Sequence, residues 1–413
     1  MKRLQSGLLC ILLSILTAAH AQITLEVSVF PELDRSVKAA LPLWASLHPD
    51  IAINLLALYH ADHHTAMTTA LATGSNLPDV MALDVDFIGR FADSGGLEDL
   101  SLAPYNAMQY REQFTGYSFT QAIRPPHGLA ALPLDLGPGT LFYRKDLMDR
   151  AHVDEAELTK SWDSYIQAGR KLKAATGVYL IANALEIESN VIRSGLNEGD
   201  GIYFDRNGAT LVTTARFQKA FELAKTARLA GIDANVPEWS SEWSEAFKRN
   251  QIGSQMMGSW LAGHLQTWLA PESAGLWRAA MLPGGLYSSY GGAFYAIPKK
   301  ARHRLEAWEF IKFMTLNKAV QIGSFRSIDA FPSLISAQDD PFSDQPIAYL
   351  GGQKARLLWR NIARRAPAIT VNRFDKVAEE VVNVELDNVL LLDKDINTAL
   401  ADAKNMIERR VNR

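Results

Sequence analysis

From Ile23 the chain alternates strand and helix patterns, and that order restricts its fold more than any other feature. Ile23-Thr-Leu-Glu-Val-Ser-Val-Phe30 alternates as a strand, and beyond a turn at residues 31–35 apolar residues recur at helical spacing to Leu47. A second strand is expected over 50–56, a helix over 61–73 stopped by Gly74, and a third strand over 78–83. A β-α-β-α-β order demands a parallel sheet with right-handed crossovers, and such sheets take ligands in the crevice outside the carboxyl ends of their strands. Asp84 and Asp86 stand at such an end, two apart, where an extended backbone would project both to one side.

A second constraint sits at Gly137-Pro138-Gly139. One apolar extended run ends at Leu136, and another, Thr140-Leu-Phe-Tyr143, leads into a helix start at Lys145-Asp146. Two glycines can take backbone angles closed to other residues, and proline fixes one dihedral and lacks a donor, so bending is confined to a few positions. The segment is therefore expected to be a hinge between two lobes.

Residues 1–21 carry Lys2 and Arg3, an apolar segment over 8–19 and Ala19-His20-Ala21, the pattern of a cleavable export signal. Its apolar part, about 12 residues, falls short of the roughly 20 that span a bilayer. The single cysteine, Cys10, lies inside this segment behind Leu8-Leu9, so a lipid anchor is not expected. The mature chain then has no disulfide, thiol nucleophile or cysteine metal ligand, and export to a periplasm is expected. The chain beyond residue 21 is long enough for two or three compact domains. The formal charge of −3, more negative once Lys2 and Arg3 are removed, gives no reason to expect nucleic acid or an anionic membrane as partner.

The block Ala72-Thr-Gly-Ser-Asn-Leu-Pro-Asp-Val-Met-Ala-Leu-Asp-Val-Asp-Phe-Ile-Gly-Arg-Phe-Ala-Asp-Ser-Gly-Gly-Leu97 resembles the Pro-Asp-strand-Asp-helix-Ala-x-x-Gly block of extracellular solute-binding proteins of the maltose-binding type. Further blocks occur in family order: residues 131–147 resemble the hinge block, Ser161-Trp-Asp-Ser-Tyr-Ile-Gln the capped helix after it, and residues 246–263 the block with a ligand-stacking tryptophan. Residues 291–298 and 307–314 resemble the return to the first lobe, and Phe331-Pro-Ser-Leu the late motif before Asp339-Asp340-Pro341. This resemblance implies an α/β, two-lobed periplasmic-binding-protein fold of type II, each lobe a largely parallel sheet flanked by helices. It also implies the division: 22–135 plus 292–335 as the N-terminal lobe, 136–291 plus 336–413 as the C-terminal lobe. The implied function is capture of a saccharide, such as a neutral disaccharide of the α-glucoside kind, by a monomer that delivers it to an inner-membrane ABC permease without a cofactor. Two departures argue against close mimicry of a maltodextrin binder: Phe87 stands where those proteins carry arginine, and Gly137 where they carry glutamate.

A sugar offers hydroxyl pairs and apolar C–H faces, so its site needs carboxylate or amide acceptors and aromatic planes. Asp86, Asp84 and Asp135 are the candidate acceptors, with helix capping as the alternative role for each. Trp260, placed between a strand over 252–257 and a helix that Ser259 could cap, is the candidate stacking plane, while Trp44, Trp162, Trp243 and Trp308 have the spacing of core residues. Tyr290 with Gly291 and Gly292, Glu32 after the first strand, and Trp239 in a loop complete the candidate ligand-binding set.

His60-Ala-Asp62-His63-His64 puts three imidazoles close together, but no distant ligand set accompanies them, and a helix start is expected rather than a metal site. The dinucleotide glycine pattern, the phosphate-cradling lysine loop, H-E-x-x-H and the G-x-S-x-G elbow do not occur. A carbohydrate-cleaving enzyme using two of the aspartates is the alternative from another class. Glycerol phosphate or another anion is the alternative ligand, against which stands the lack of an evident arginine cluster.

Overall fold

The structure is a computed structural model, and it describes residues 23–124 and 128–412. The expected export signal lies outside the described residues. Strand β1, Ile23–Val29, turns Leu25, Val27 and Val29 inward. It pairs in parallel along its whole length with β2, Ile51–Ala57, and on its other edge with β3, Val80–Asp84. Val80 to Leu83 have no exposed surface, as a parallel strand covered on both faces requires. The crossover helices α1, Leu33–Leu47, and α2, His60–Thr73, run at the expected places. Trp44 of α1 is buried against Phe310 and Phe313, its indole N–H donating to the Ile51 carbonyl at 3.0 Å. Gly74 ends α2 in the left-handed conformation (φ 73°), which costs glycine least. Beyond β3 the sheet is completed by Ala293–Ala296 and then Leu132–Pro133, each antiparallel to its neighbour.

A second sheet places the fully buried strand Gly139–Arg144 between Ser254–Gly258 and Trp277–Ala280. Its strand pairs are antiparallel, and parallel pairing there is confined to the bridges Tyr179–Ile252 and Ile181–Asp233. This lobe is thus less parallel than expected, because periodicity identifies a strand but not the direction of its neighbour. One hydrophobic cluster joins residues between Leu25 and Leu134 to residues between Ala293 and Val320. Three others draw, Tyr117 apart, on residues between Leu136 and Leu282 and between Phe325 and Ile407.

The chain crosses between these cores at three neighbouring places. Asp135–Leu136 pairs antiparallel with Phe331–Pro332, Pro138 bridges Ser289, and Tyr290 donates its backbone N–H to the Gly137 carbonyl at 2.7 Å. The glycines do not serve as expected. Neither Gly137 nor Gly139 has positive φ; a Cβ on Gly137 would lie 1.7 Å from the Tyr290 oxygen, and one on Gly139 2.1 Å from Ser288 Oγ. Close passage of the crossings, rather than a special dihedral, requires them. Positive φ appears instead on the return crossing, at Gly291 (81°) and Gly292 (135°). None of the described helices is long and apolar enough to cross a membrane.

Candidate ligand-binding cleft

Helix α3, Val85–Asp93, starts directly at the carboxyl end of β3, so the two aspartates are not a pair on one extended edge. Asp84 is its N-cap, accepting from the Asp86 N–H at 2.9 Å, and its other oxygen lies 3.5 Å from His60 Nε2. Burial works against ionisation of Asp84, but His60 and the cap hold its carboxyl below the usual range. Asp86, in the first turn, has no such partner and opens to the cleft. Loss of water, then the charges of Glu379 and Asp84, push its carboxyl up to about 7. Asp135 accepts from the Ala293 N–H at 2.7 Å, tying two crossings together, and burial pushes it up to about 7 as well.

The histidines behind Asp84 are packing and bonding groups. His64 is buried and stacks on Phe87 with ring centres 4.0 Å apart. Its Nε2 accepts from the Asp84 N–H at 3.0 Å, so Nδ1 carries the proton and donates to the His60 carbonyl at 2.7 Å. Burial drives its pKa down to about 3, which fits a neutral ring with both nitrogens committed. Phe87 therefore supports the histidine cluster.

Across from Asp86 stands a group of charges that no sequence pattern suggested. Arg193, the last residue of helix Leu185–Arg193, donates to Glu379 at 3.1 Å and to Ser189 Oγ at 2.7 Å. Glu379 also receives Lys376 at 2.6 Å; burial opposes its charge, but the two cations hold it ionised. Glu188, 1 % exposed, is pushed up to about 8 by burial and by the Glu379 charge. Asp86, Gln121, Arg193, Tyr203 and Glu379 help line a cavity of about 40 Å³. That is room for a few waters.

An aromatic shelf lies beside this group. Trp260 and Trp239 stack with ring centres 5.8 Å apart and planes 29° apart, and His264 sets its edge against both. Trp239 is 54 % exposed and has a backbone φ of 64°. Trp260 donates its indole N–H to the Tyr290 carbonyl at 3.0 Å, which fastens the shelf to the crossing. Trp260 itself is the N-cap residue, and Ser259, expected to cap, has a buried hydroxyl without a partner. Tyr290 is half-buried, with the Arg193 guanidinium 5.5 Å from its ring centre. The Gly292 carbonyl accepts from the Val85 N–H at 2.9 Å, so the glycine pair joins the start of α3. Glu32 has φ 74° and pairs with Arg35 at 2.8 Å; both charges act on His264 across the cleft.

A model of the family described as bacterial extracellular solute-binding protein matches residues 28–321. The chain belongs to that family. A lactose-binding protein of Rhizobium radiobacter is 24% identical over 367 residues, covering 84% of this chain and 83% of the relative. The crystal structure of an extracellular solute-binding protein of family 1 has a TM-score of 0.80 at 22% identity, covering 94% of this chain and 99% of that one. An ABC-transporter-associated binding protein from B. animalis subsp. lactis Bl-04, in complex with β-1,6-galactobiose, reaches 0.76 at 21% identity, with 92% and 96% covered. These structures share the two-lobed type II fold.

Proteins of this family bind solutes and are not enzymes, which sets aside the carbohydrate-cleaving alternative. The expected site residues of this solute-binding protein fall into three groups. Asp86, Trp260, Trp239 and Tyr290 come together at the cleft; Asp84, Asp135 and the glycines hold its walls; Glu32 stands at its far rim. Arg193, Lys376, Glu379 and Glu188 were missed, as was Glu238, which accepts from the Gln255 amide at 2.8 Å and lies in the field of Arg193 and Glu379. The cavity lining holds one arginine rather than a cluster: Arg193 is followed by an ordinary Ser-Gly turn, and only the fold brings it to Asp86.

Proposed function

We propose that this protein is the substrate-binding component of an ABC importer, capturing a neutral oligosaccharide, in the simplest case a disaccharide, between its lobes. The observation that carries this reading is the juxtaposition of the Trp239–Trp260 shelf with the charged cleft wall. An indole plane takes the C–H face of a pyranose, and ionised or protonated carboxyl groups with a guanidinium supply the acceptors and donors that hydroxyl pairs need. The cations favour a neutral ligand despite their presence. Arg193 and Lys376 are both engaged by Glu379, so a phosphate would find neither cation unpaired.

The relatives support the same class: besides the lactose-binding protein, an arabinooligosaccharide-binding protein of Bacillus subtilis (strain 168) is 23% identical over 283 residues. The lactose of the first relative adds β-galactosides to the α-glucosides expected from resemblance alone. In this reading the lobes are 22–135 plus 292–335 and 136–291 plus 336–413. The mature monomer works outside the inner membrane, released by signal cleavage, and presents its closed form to a permease.

A melting screen of the mature protein against neutral disaccharides, with glycerol phosphate alongside, tests the reading. A true ligand at a hundredfold excess over Kd stabilises by about 2.7 kcal/mol, and the sugar is recovered uncleaved. Stabilisation by the phosphate alone, falling steeply with salt, would overturn it.

A further inference from the structure

Behind the aromatic shelf a buried hydrogen-bond relay ends on one carboxylate. Trp243 has no exposed surface, and its indole N–H can only donate; it points at Gln255 Oε1, 3.2 Å away. That contact fixes the orientation of the Gln255 amide, also without exposed surface, because its oxygen must face the indole. Its amino group therefore points the other way, donating to Glu238 Oε1 at 2.8 Å. Glu238 precedes Trp239 and is only half-buried, within electrostatic reach of Arg193, Glu379 and Tyr290 at the cleft. Glu186 lies behind it, with Oε1 accepting from the Met256 N–H at 2.5 Å and Oε2 buried without a partner. Tyr290, Arg193 and Glu379 are the other titratable or charged groups that act on Glu238.

We propose that Glu238 is a specificity-determining acceptor for one hydroxyl of the sugar ring lying on the Trp239–Trp260 shelf, and that Gln255, registered by Trp243, is its positioning residue. The proposal rests on the saccharide reading of the cleft. A half-buried carboxylate beside a stacking plane can distinguish a hydroxyl in that plane from its absence or epimer only if it cannot swing away. The fixed amide supplies that restraint from the core side, leaving Glu238 Oε2 for the ligand. Burial, together with the neighbouring Glu379, pushes Glu238 up to about 7, while the Gln255 donor favours its charged form. Removing that donor therefore raises the pKa of Glu238 further, so its acceptor function is lost at a higher pH.

The test uses the mature full chain and whichever panel disaccharide binds the parent. Glu238→Gln should weaken it roughly 10- to 100-fold, the worth of a hydrogen bond to a charged group. Among singly deoxygenated analogues, one should lose affinity in the parent and show no further loss in Glu238→Gln. Gln255→Met, which preserves volume, should move the acid limb of the affinity profile to higher pH, an effect that loosened packing alone would not produce. Without any ligand, tryptophan emission should titrate in the parent, lose that transition in Glu238→Gln and show it at higher pH in Gln255→Met. A parent that binds sugar while Glu238→Gln binds it equally well overturns the inference and leaves the saccharide reading standing. A parent that binds no sugar in the panel overturns both.

Discussion

Trp260 joins the aromatic shelf to a crossing: its ring backs Trp239, and its N–H bonds the Tyr290 carbonyl. Trp260→Ala should weaken sugar binding by about 2–4 kcal/mol, as truncation of a central aromatic contact does, and leave the protein folded. Trp260→Phe should retain part of the stacking but still lose the hydrogen bond to Tyr290, worth about 1 kcal/mol; calorimetry on the two variants separates the contributions. Glu188 makes a different prediction. Its carboxyl is raised from the usual 4.5 to about 8 in the folded protein, so its contribution to stability is fully present below pH 4.5 and is lost as pH rises through about 8. Melting temperature should therefore fall between pH 5 and pH 8 by more in the parent than in Glu188→Gln, read by calorimetric scans in matched buffers. Residue chemistry was legible in the sequence where it depended on local context. Asp86 and Trp260 sit at strand-to-helix mouths that periodicity marks out. Arg193, Glu379 and Glu238 come from helix and loop positions with no signal of their own, and only the packing of segments far apart in the chain makes them neighbours.

At the scale of elements, the β-α-β-α-β opening was legible nearly residue for residue, because alternation, helical spacing and the Gly74 stop agree there. The second sheet was not, since its antiparallel neighbours are segments far apart in the chain. Helix α3 shows what close packing between elements demands. A Cβ on Gly89 would lie 2.8 Å from the Asn372 carbonyl oxygen. Asn372 is itself bound into the start of helix Asp375–Leu392, its N–H donating to Asp375 at 2.6 Å and its side chain accepting from Phe374 N–H at 3.0 Å. Alanine favours a helix over glycine by about 1 kcal/mol, so Gly89→Ala should not unfold the protein. It should instead keep α3 and the Asn372 turn apart, lowering affinity and enlarging the ligand-bound form in scattering. Gly137→Ala should behave oppositely: its methyl meets the Tyr290 oxygen within the crossing itself, and urea titration should show a loss of about 1–3 kcal/mol with or without ligand.

For the whole molecule, the proposed capture of a saccharide between the lobes implies a motion. The cavity beside Asp86, about 40 Å³, admits a few waters, whereas pockets for ligands of drug size run to about 300–1,000 Å³, so under that proposal the lobes must separate to admit an oligosaccharide and then settle around it. In the same proposal the three crossings and the contact between α3 and the Asn372 turn would accommodate that motion. Capture of a neutral saccharide between the lobes is the central claim, and titration calorimetry of neutral disaccharides into the mature protein at low and high salt tests it most directly. At least one β-galactoside or α-glucoside should bind one-to-one, with little change in affinity between the two salt conditions because the ligand carries no charge to be screened. Failure of every neutral sugar to bind, together with tight and steeply salt-dependent binding of a sugar phosphate, would contradict the claim.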